Sequence, residues 1–134
     1  MTGFVIDASI LAGLALADER PPRAVAAVER LRGETALAPS QLFFEIRNVL
    51  LVSERRHRLT QAGTEEFLRI IGRLPITIDI NCDERRLMTL ARTHRLTAYD
   101  AAYLELALRE GVALATLDAE LERAARAERI ALVE

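Results

Sequence analysis

The sequence predicts an α/β fold in which a mostly parallel sheet of about five strands is covered by helices on both faces. Three observations predict it. Short apolar runs of strand length alternate with amphipathic stretches of helix length along the whole chain. The first run, Phe4-Val5-Ile6, ends on an acid, Asp7, and passes straight into an Ala- and Leu-rich stretch, as a buried strand feeding a helix does. Internal repeats and low-complexity segments, which would point to other architectures, are absent from the sequence. At 134 residues with 51% hydrophobic content the chain can bury one real core and is too short for two ordinary domains, so a single domain over residues 1–134 is expected.

Strands are expected near residues 3–7, 35–38, 76–80, 112–116 and 129–133. The helices fall between them. After the first helix the chain breaks at Pro21 and Pro22, restarts with proline tolerated in the first turn, and stops at Gly33. A long helix is expected from a Ser40 cap to about Arg56, and another from Thr60 until Pro75 forbids its continuation. Residues 82–111 hold two helices divided near Leu96-Thr97, and a last helix follows Asp118. In parallel sheets of this kind the functional crevice lies outside the carboxyl ends of the strands, where Asp7 and Asp118 both fall.

Composition narrows the chemistry. A net charge of −2 gives no overall attraction to nucleic acid, so any such binding must come from local patches. All 18 basic residues are Arg, which excludes the lysine-dependent Walker loop and counts against a receiver-type phosphoacceptor domain. Arginine throughout is what a GC-rich genome produces, so it says little about RNA. Neither strand-end turn carries Gly-x-Gly-x-x-Gly, which disfavours dinucleotide binding. Cys82 has no disulfide partner, and with only His57 and His94 besides, a Cys/His zinc site is disfavoured; any metal would be oxygen-bound. No apolar run reaches the roughly 18 residues of a membrane span and no basic region precedes an apolar one at the start, so a soluble cytoplasmic protein is expected.

Four acids need explaining. Asp7 and Asp118 each sit where a helix begins, and capping alone accounts for a lone acid there. Asp100 follows Thr97 in a T-x-x-D pattern, a variant of the capping box that the helix dipole also favours. Glu45 is harder to dismiss: on a helix whose apolar stripe is Leu42, Ile46, Val49 and Leu50 it projects at the stripe's edge beside Val49 and Val52, with Asn48 on its side. A carboxylate in such company needs a partner, either an arginine or a cation. If the fold brings all four acids to one crevice they raise one another's pKa values unless a cation neutralises them, and hard ions such as Mg²⁺ or Mn²⁺ suit an all-oxygen site.

The segments "FVIDASILAGL", "ALAPSQLFFEIRNVLL" and "LTAYDAAYLELALREGVALATLDAELERAA" together resemble the PIN-domain family, and within it the VapC ribonuclease toxins of bacterial toxin–antitoxin pairs. The resemblance runs from residue 4 to about 127 and preserves the order acid, P-S-x-x-x-x-E-x-x-N, T-x-Y-D-A-x-Y and T-x-D. It implies a three-layer α/β/α fold and a Mg²⁺- or Mn²⁺-dependent endoribonuclease. In that reading Asp7, Glu45, Asp100 and Asp118 are the catalytic, metal-binding acids, supported by Thr116, Ser9 and Asn48. It also implies a homodimer and a VapB-type antitoxin that blocks the acidic site. Phe43, Phe44, Leu51 and Val52, outside the main apolar stripe of their helix, offer surplus apolar surface for an interface.

Rival readings stand beside this one. A non-catalytic nucleic-acid or protein-binding module would use the same acids as caps and salt bridges. A haloacid-dehalogenase-like phosphatase needs D-x-D after the first strand, where this chain has Ser9. Arg47, Arg55, Arg56 and Arg58 form the densest basic group; Arg55 and Arg56 are candidate RNA contacts, against the plain alternative of a solvated helix end. The Tyr99 and Tyr103 pair, at i and i+4, reads as a core contact in preference to a base-stacking platform, and Cys82 and both histidines as packing or surface residues.

Overall fold

The computed structural model describes residues 3–16 and 20–134. Its sheet has four parallel strands, β1 (Phe4–Ile6), β2 (Ala36–Pro39), β3 (Ile76–Asp79) and β4 (Ala113–Ala115), in the order β3-β2-β1-β4. Phe4 pairs with both Ala36 and Ala113, so the most apolar strand has a neighbour on each side and no surface exposed. Side chains alternate across a strand. Phe4 and Ile6 therefore enter one core, with Ile10, Ile46 and Phe67, while Val5 enters the other, with Tyr103, Leu104 and Leu121.

Those two cores are closed by helices. α1 (Ala8–Ala15), α2 (Pro22–Arg30), α3 (Leu42–Arg55) and α4 (Gln61–Ile71) supply the buried side chains of the first; α5 (Glu84–His94), α6 (Ala98–Glu110) and α7 (Ala119–Ala127) supply those of the second. The result is the expected three-layer α/β/α arrangement. Local chemistry sets most helix starts: Pro22 opens α2, Thr60 accepts from Gly63 N, Thr97 from Asp100 N, and Asp118 from Glu120 N and Leu121 N. Among the described residues, no helix is long and apolar enough to cross a membrane.

Three expectations change. The segment 129–133 is not a fifth strand: it meets β4 only at the Leu114–Leu132 bridge. The chain leaves α7 through a left-handed Arg129 (φ 60°) and faces a strand of only three residues, which leaves little ladder to extend. Ser40 is not the cap of α3, because the preceding Gln41 already has helical backbone angles and Ser40 falls in the turn before it. Finally, α2 ends at Arg30, with a turn carrying the chain through Gly33. The join between α1 and α2 lies partly at 17–19, outside the described residues.

The sheet's starting edge is tightly packed at Gly3, where an added Cβ would stand 1.5 Å from the backbone oxygen of Thr35. Backbone cannot swing aside as a side-chain tip can. Gly3→Ala should therefore destabilise the protein by about 1–3 kcal/mol in urea denaturation, the range of an overpacked interior. Gly33→Ala, where a Cβ meets nothing within 4 Å, should cost far less.

Candidate active site

Asp7 ends β1 and caps α1, and the fold surrounds its buried carboxylate with donors. Ser9 Oγ donates to Oδ1 at 2.6 Å, Thr116 Oγ1 donates to Oδ2 at 2.5 Å, and the Ile10 amide adds a longer bond of 3.3 Å to Oδ1. The two hydroxyls are themselves held: Ser9 Oγ accepts from Leu117 N at 2.8 Å and Thr116 Oγ1 from Asp118 N at 3.0 Å. Ser9 and Thr116 thus lock Asp7 to the loop after β4. Burial is the largest influence on this group and pushes its pKa up to about 6, against the downward pull of the three hydrogen bonds.

Around Asp7 opens a crevice lined also by Ser9, Glu45, Asn48, Asp100, Tyr103 and Asp118. All four sequence-predicted acids face it, each from a different element: the ends of β1 and of the loop beyond β4, the first turn of α3 and the first turn of α6. Burial raises the pKa of Glu45, with the Asp100 charge adding to it and a hydrogen bond from Tyr103 opposing. Asp100 is raised by burial first and by the Asp118 charge second. Elsewhere acids meet arginines, as in Arg109 with Glu105 at 2.8 Å and Arg23 with Glu122 at 2.6 Å. None of the four crevice acids has a salt bridge among the described residues.

Glu45 has a hydrogen-bond partner that neither expectation named. The Tyr103 hydroxyl, 58 residues away, donates to its Oε1. Tyr103 is 2% exposed and lines the crevice, whereas Tyr99 is 64% exposed, so the two tyrosines do not make the expected contact with each other. The buried stripe of α3 is Leu42, Ile46, Leu50 and Ser53; Val49 turns out to the crevice beside Glu45 and Asn48. Tyr103 is the site residue that sequence reasoning missed. Its signal was the wish of a buried phenol for a partner, set against an acid at the edge of an apolar stripe.

Other candidates lie apart. Arg55 and Arg56 are exposed at the far end of α3, about 15 Å along the helix from Glu45 at 1.5 Å per residue. Arg47 is engaged locally, with its guanidinium 3.5 Å over the Phe43 ring and a bond to Phe43 O. Cys82 and His57 are exposed, and His94 is buried against Glu128 at 2.6 Å. Cys82, His57 and His94 do not line the acidic crevice.

The donor set is entirely oxygen, which suits a hard divalent cation. Among the described residues, no three Asp, Glu, His or Cys side chains are drawn together as a ready-made metal cage.

The fold and site define a class: parallel α/β/α sandwiches with a crevice of carboxylates, none paired to an arginine among the described residues, at the carboxyl ends of the strands. The chain belongs to the PIN domain family, whose model matches residues 4–127 and whose members are generally nucleases. Among solved structures it resembles PAE2754 from Pyrobaculum aerophilum, with 26% identity, a TM-score of 0.69, and coverage of 92% of this chain and 84% of that one. It also shares its fold with VapC20 of Mycobacterium tuberculosis, a sarcin-ricin loop cleaving toxin, at 12% identity and a TM-score of 0.60, covering 91% and 95% of the two chains. No curated protein matches the sequence.

The Asp7 carboxyl carries a pH signature. Its folded pKa of about 6 lies above the ordinary 3.8, so the folded state holds this proton more tightly and ionising the group opposes folding. In EDTA, stability should fall as pH rises from about 4 to 7. Asp7→Asn keeps an N-cap and removes the charge, so it should gain about 2–3 kcal/mol on the parent between pH 4 and pH 7.5. Denaturant melts at the two pH values check this; a constant offset would show that Asp7 is not the source.

Proposed function

We propose that the protein is a Mg²⁺- or Mn²⁺-dependent endoribonuclease, the toxin of a VapBC-type toxin–antitoxin pair acting in the cytoplasm as a single-domain PIN protein. The observation that carries the reading is the gathering of Asp7, Glu45, Asp100 and Asp118, unpaired with any arginine, around one crevice at the carboxyl ends of β1 and β4. Four carboxylates that line one crevice with no arginine to pair them are explained by a cation and a phosphate substrate better than by capping, since Asn or Ser would cap as well.

Asp7 and Asp100 would be the principal ligands, with Glu45 and Asp118 completing the set directly or through waters. When bound, the ion supplies charge stabilisation on the phosphoryl oxygens and acidification of water. The chain's own groups prepare the site. Ser9 and Thr116 fix both oxygens of Asp7, Tyr103 fixes Oε1 of Glu45, and Asn48 offers an amide on the same helix face. In the reaction a water oxygen bonds to phosphorus, one ester P–O bond breaks, the water gives up a proton to the crevice and the leaving oxygen takes one up. Exposed Phe43, Phe44 and Leu51 on α3, at 49%, 72% and 47%, suit a homodimer, and a VapB-type antitoxin would cover the acids.

The second reading, a non-catalytic binding module, has its own observation: Asp7 and Asp118 both do accept helix N–H bonds. Asp7→Asn and Asp100→Asn separate the two. Each should lower RNA cleavage at least about 100-fold and weaken Mn²⁺ binding in calorimetry, the scale of disturbing a metal site, while folding is retained. Full cleavage by both highly purified variants would remove the endoribonuclease reading.

If Arg55 and Arg56 bind phosphates away from the crevice, changing both to Gln should weaken binding of all RNA sequences alike. The slope of log affinity against log salt should flatten by about 1.4, at 0.7 for each single-strand phosphate no longer neutralised. RNA affinity across a salt series in Ca²⁺ measures this; an unchanged slope returns both arginines to the solvent.

A further inference from the structure

We propose that a second cavity beside the acidic crevice is a nucleobase subsite, in which the Tyr99 ring stacks on a base flanking the scissile phosphate; this rests on the endoribonuclease reading. The cavity lies at the carboxyl ends of β2 and β3. Ser40 and Gln41 line it after β2, Ile80 and Asn81 after β3, and Tyr99 from the first turn of α6.

Both depressions draw lining residues from α6 and from the start of α3. Tyr99 immediately precedes Asp100 and Ala102 immediately precedes Tyr103, so residues of the cavity and of the crevice alternate along α6, and Gln41, the cap residue of α3, stands one helical turn before Glu45. Gln41 Nε2 donates to Tyr99 O at 2.5 Å and fixes the rim between them. On this arrangement a strand of RNA with its phosphate at the acids would carry a flanking base toward Tyr99.

The chemistry of the cavity is that of a base platform. Tyr99 and Ile80 are 64% and 83% exposed, two broad apolar surfaces left in water at the mouth of one cavity. Single-stranded RNA is recognised by splaying bases onto such aromatic faces and reading their edges with side-chain hydrogen bonds. Ser40, Asn81 and the Gln41 carbonyl provide donors and acceptors for an edge.

Charge separates this cavity from the crevice. Its two acids are both bonded to one arginine, which leaves a net charge of only −1: Arg109 bonds Glu105 at 2.8 Å and Asp79 through two bonds of 3.2 Å, and also holds Asn81 O at 2.9 Å. The cavity therefore repels RNA far less than the crevice does and has a wall pinned in place. A neutral, hydrogen-bonding, flat group fits it better than a phosphate.

Binding of fluorescent random-sequence single-stranded RNA in Ca²⁺ tests the assignment. Tyr99→Ala should weaken it about 5- to 150-fold, the scale of removing one base–aromatic stack, while Tyr99→Phe stays within about twofold. Mn²⁺ affinity of Tyr99→Ala should match the parent. RNA made abasic at the nucleotide flanking the cleaved linkage should bind the parent more weakly, and on that RNA Tyr99→Ala should have no further effect. An unchanged RNA affinity in Tyr99→Ala overturns the subsite and leaves the ring as a surface for a protein partner. An equal loss on intact and abasic RNA also overturns it. If the unaltered protein neither binds nor cleaves RNA, both the subsite and the endoribonuclease reading fall; cleavage by the parent with an indifferent Tyr99→Ala removes the subsite alone.

Discussion

Phe4, Val5 and Ile6 occupy the middle of a parallel sheet, and a parallel sheet must be covered on both faces because its crossovers place helices there. The rest of the molecule follows from that burial. A three-residue strand with no exposed surface can end only by bringing the next side chain to the sheet's carboxyl edge, between β2 and β4. That side chain is Asp7. Its carboxylate is thereby buried beside the loop after β4, where the Thr116 hydroxyl meets it, although the two are 109 residues apart in sequence.

The distribution of ion pairs sets the crevice apart. Glu105 is 1% exposed and buried more deeply than any of the four crevice acids, yet it is bonded to Arg109, which also takes Asp79. Glu122 is shared between Arg23 and Arg126, and burial is too slight there to outweigh them, so its pKa falls to about 2. The fold thus has ample arginine with which to satisfy acids. At the crevice it uses hydroxyls instead: Ser9, Thr116 and Tyr103 orient carboxylates without neutralising them. Hydroxyl donors leave the negative charge in place for an external cation, whereas a guanidinium would cancel it.

The seam between α3 and α6 serves both sides of this design. Tyr103 reaches across it to Glu45, and Gln41 reaches back to the carbonyl of Tyr99. These two bonds set how far apart the first turns of the helices stand, and those turns carry Glu45 and Asp100. One tyrosine of the i, i+4 pair is consumed inside the protein and the other is left outside it, because α6 passes from solvent onto the sheet within its first two turns.

Sequence alone determined the alternation of strands and helices, the positions of most helix starts and the order of the four acids, because each of these is written in neighbouring residues. Strand-length apolar runs, Thr97 three residues before Asp100, and Pro22 at a first turn need no distant partner to be read. Tertiary structure alone decided that Glu45 would meet Tyr103 instead of an arginine, that Val49 would leave the apolar stripe, and that 129–133 would make a single bridge instead of a strand. Periodicity reports which face of an element is apolar but not what lies opposite it. The opposing group is set by how helices cross the sheet and how long each strand is, and contacts 58 and 109 residues apart exist only once those are fixed.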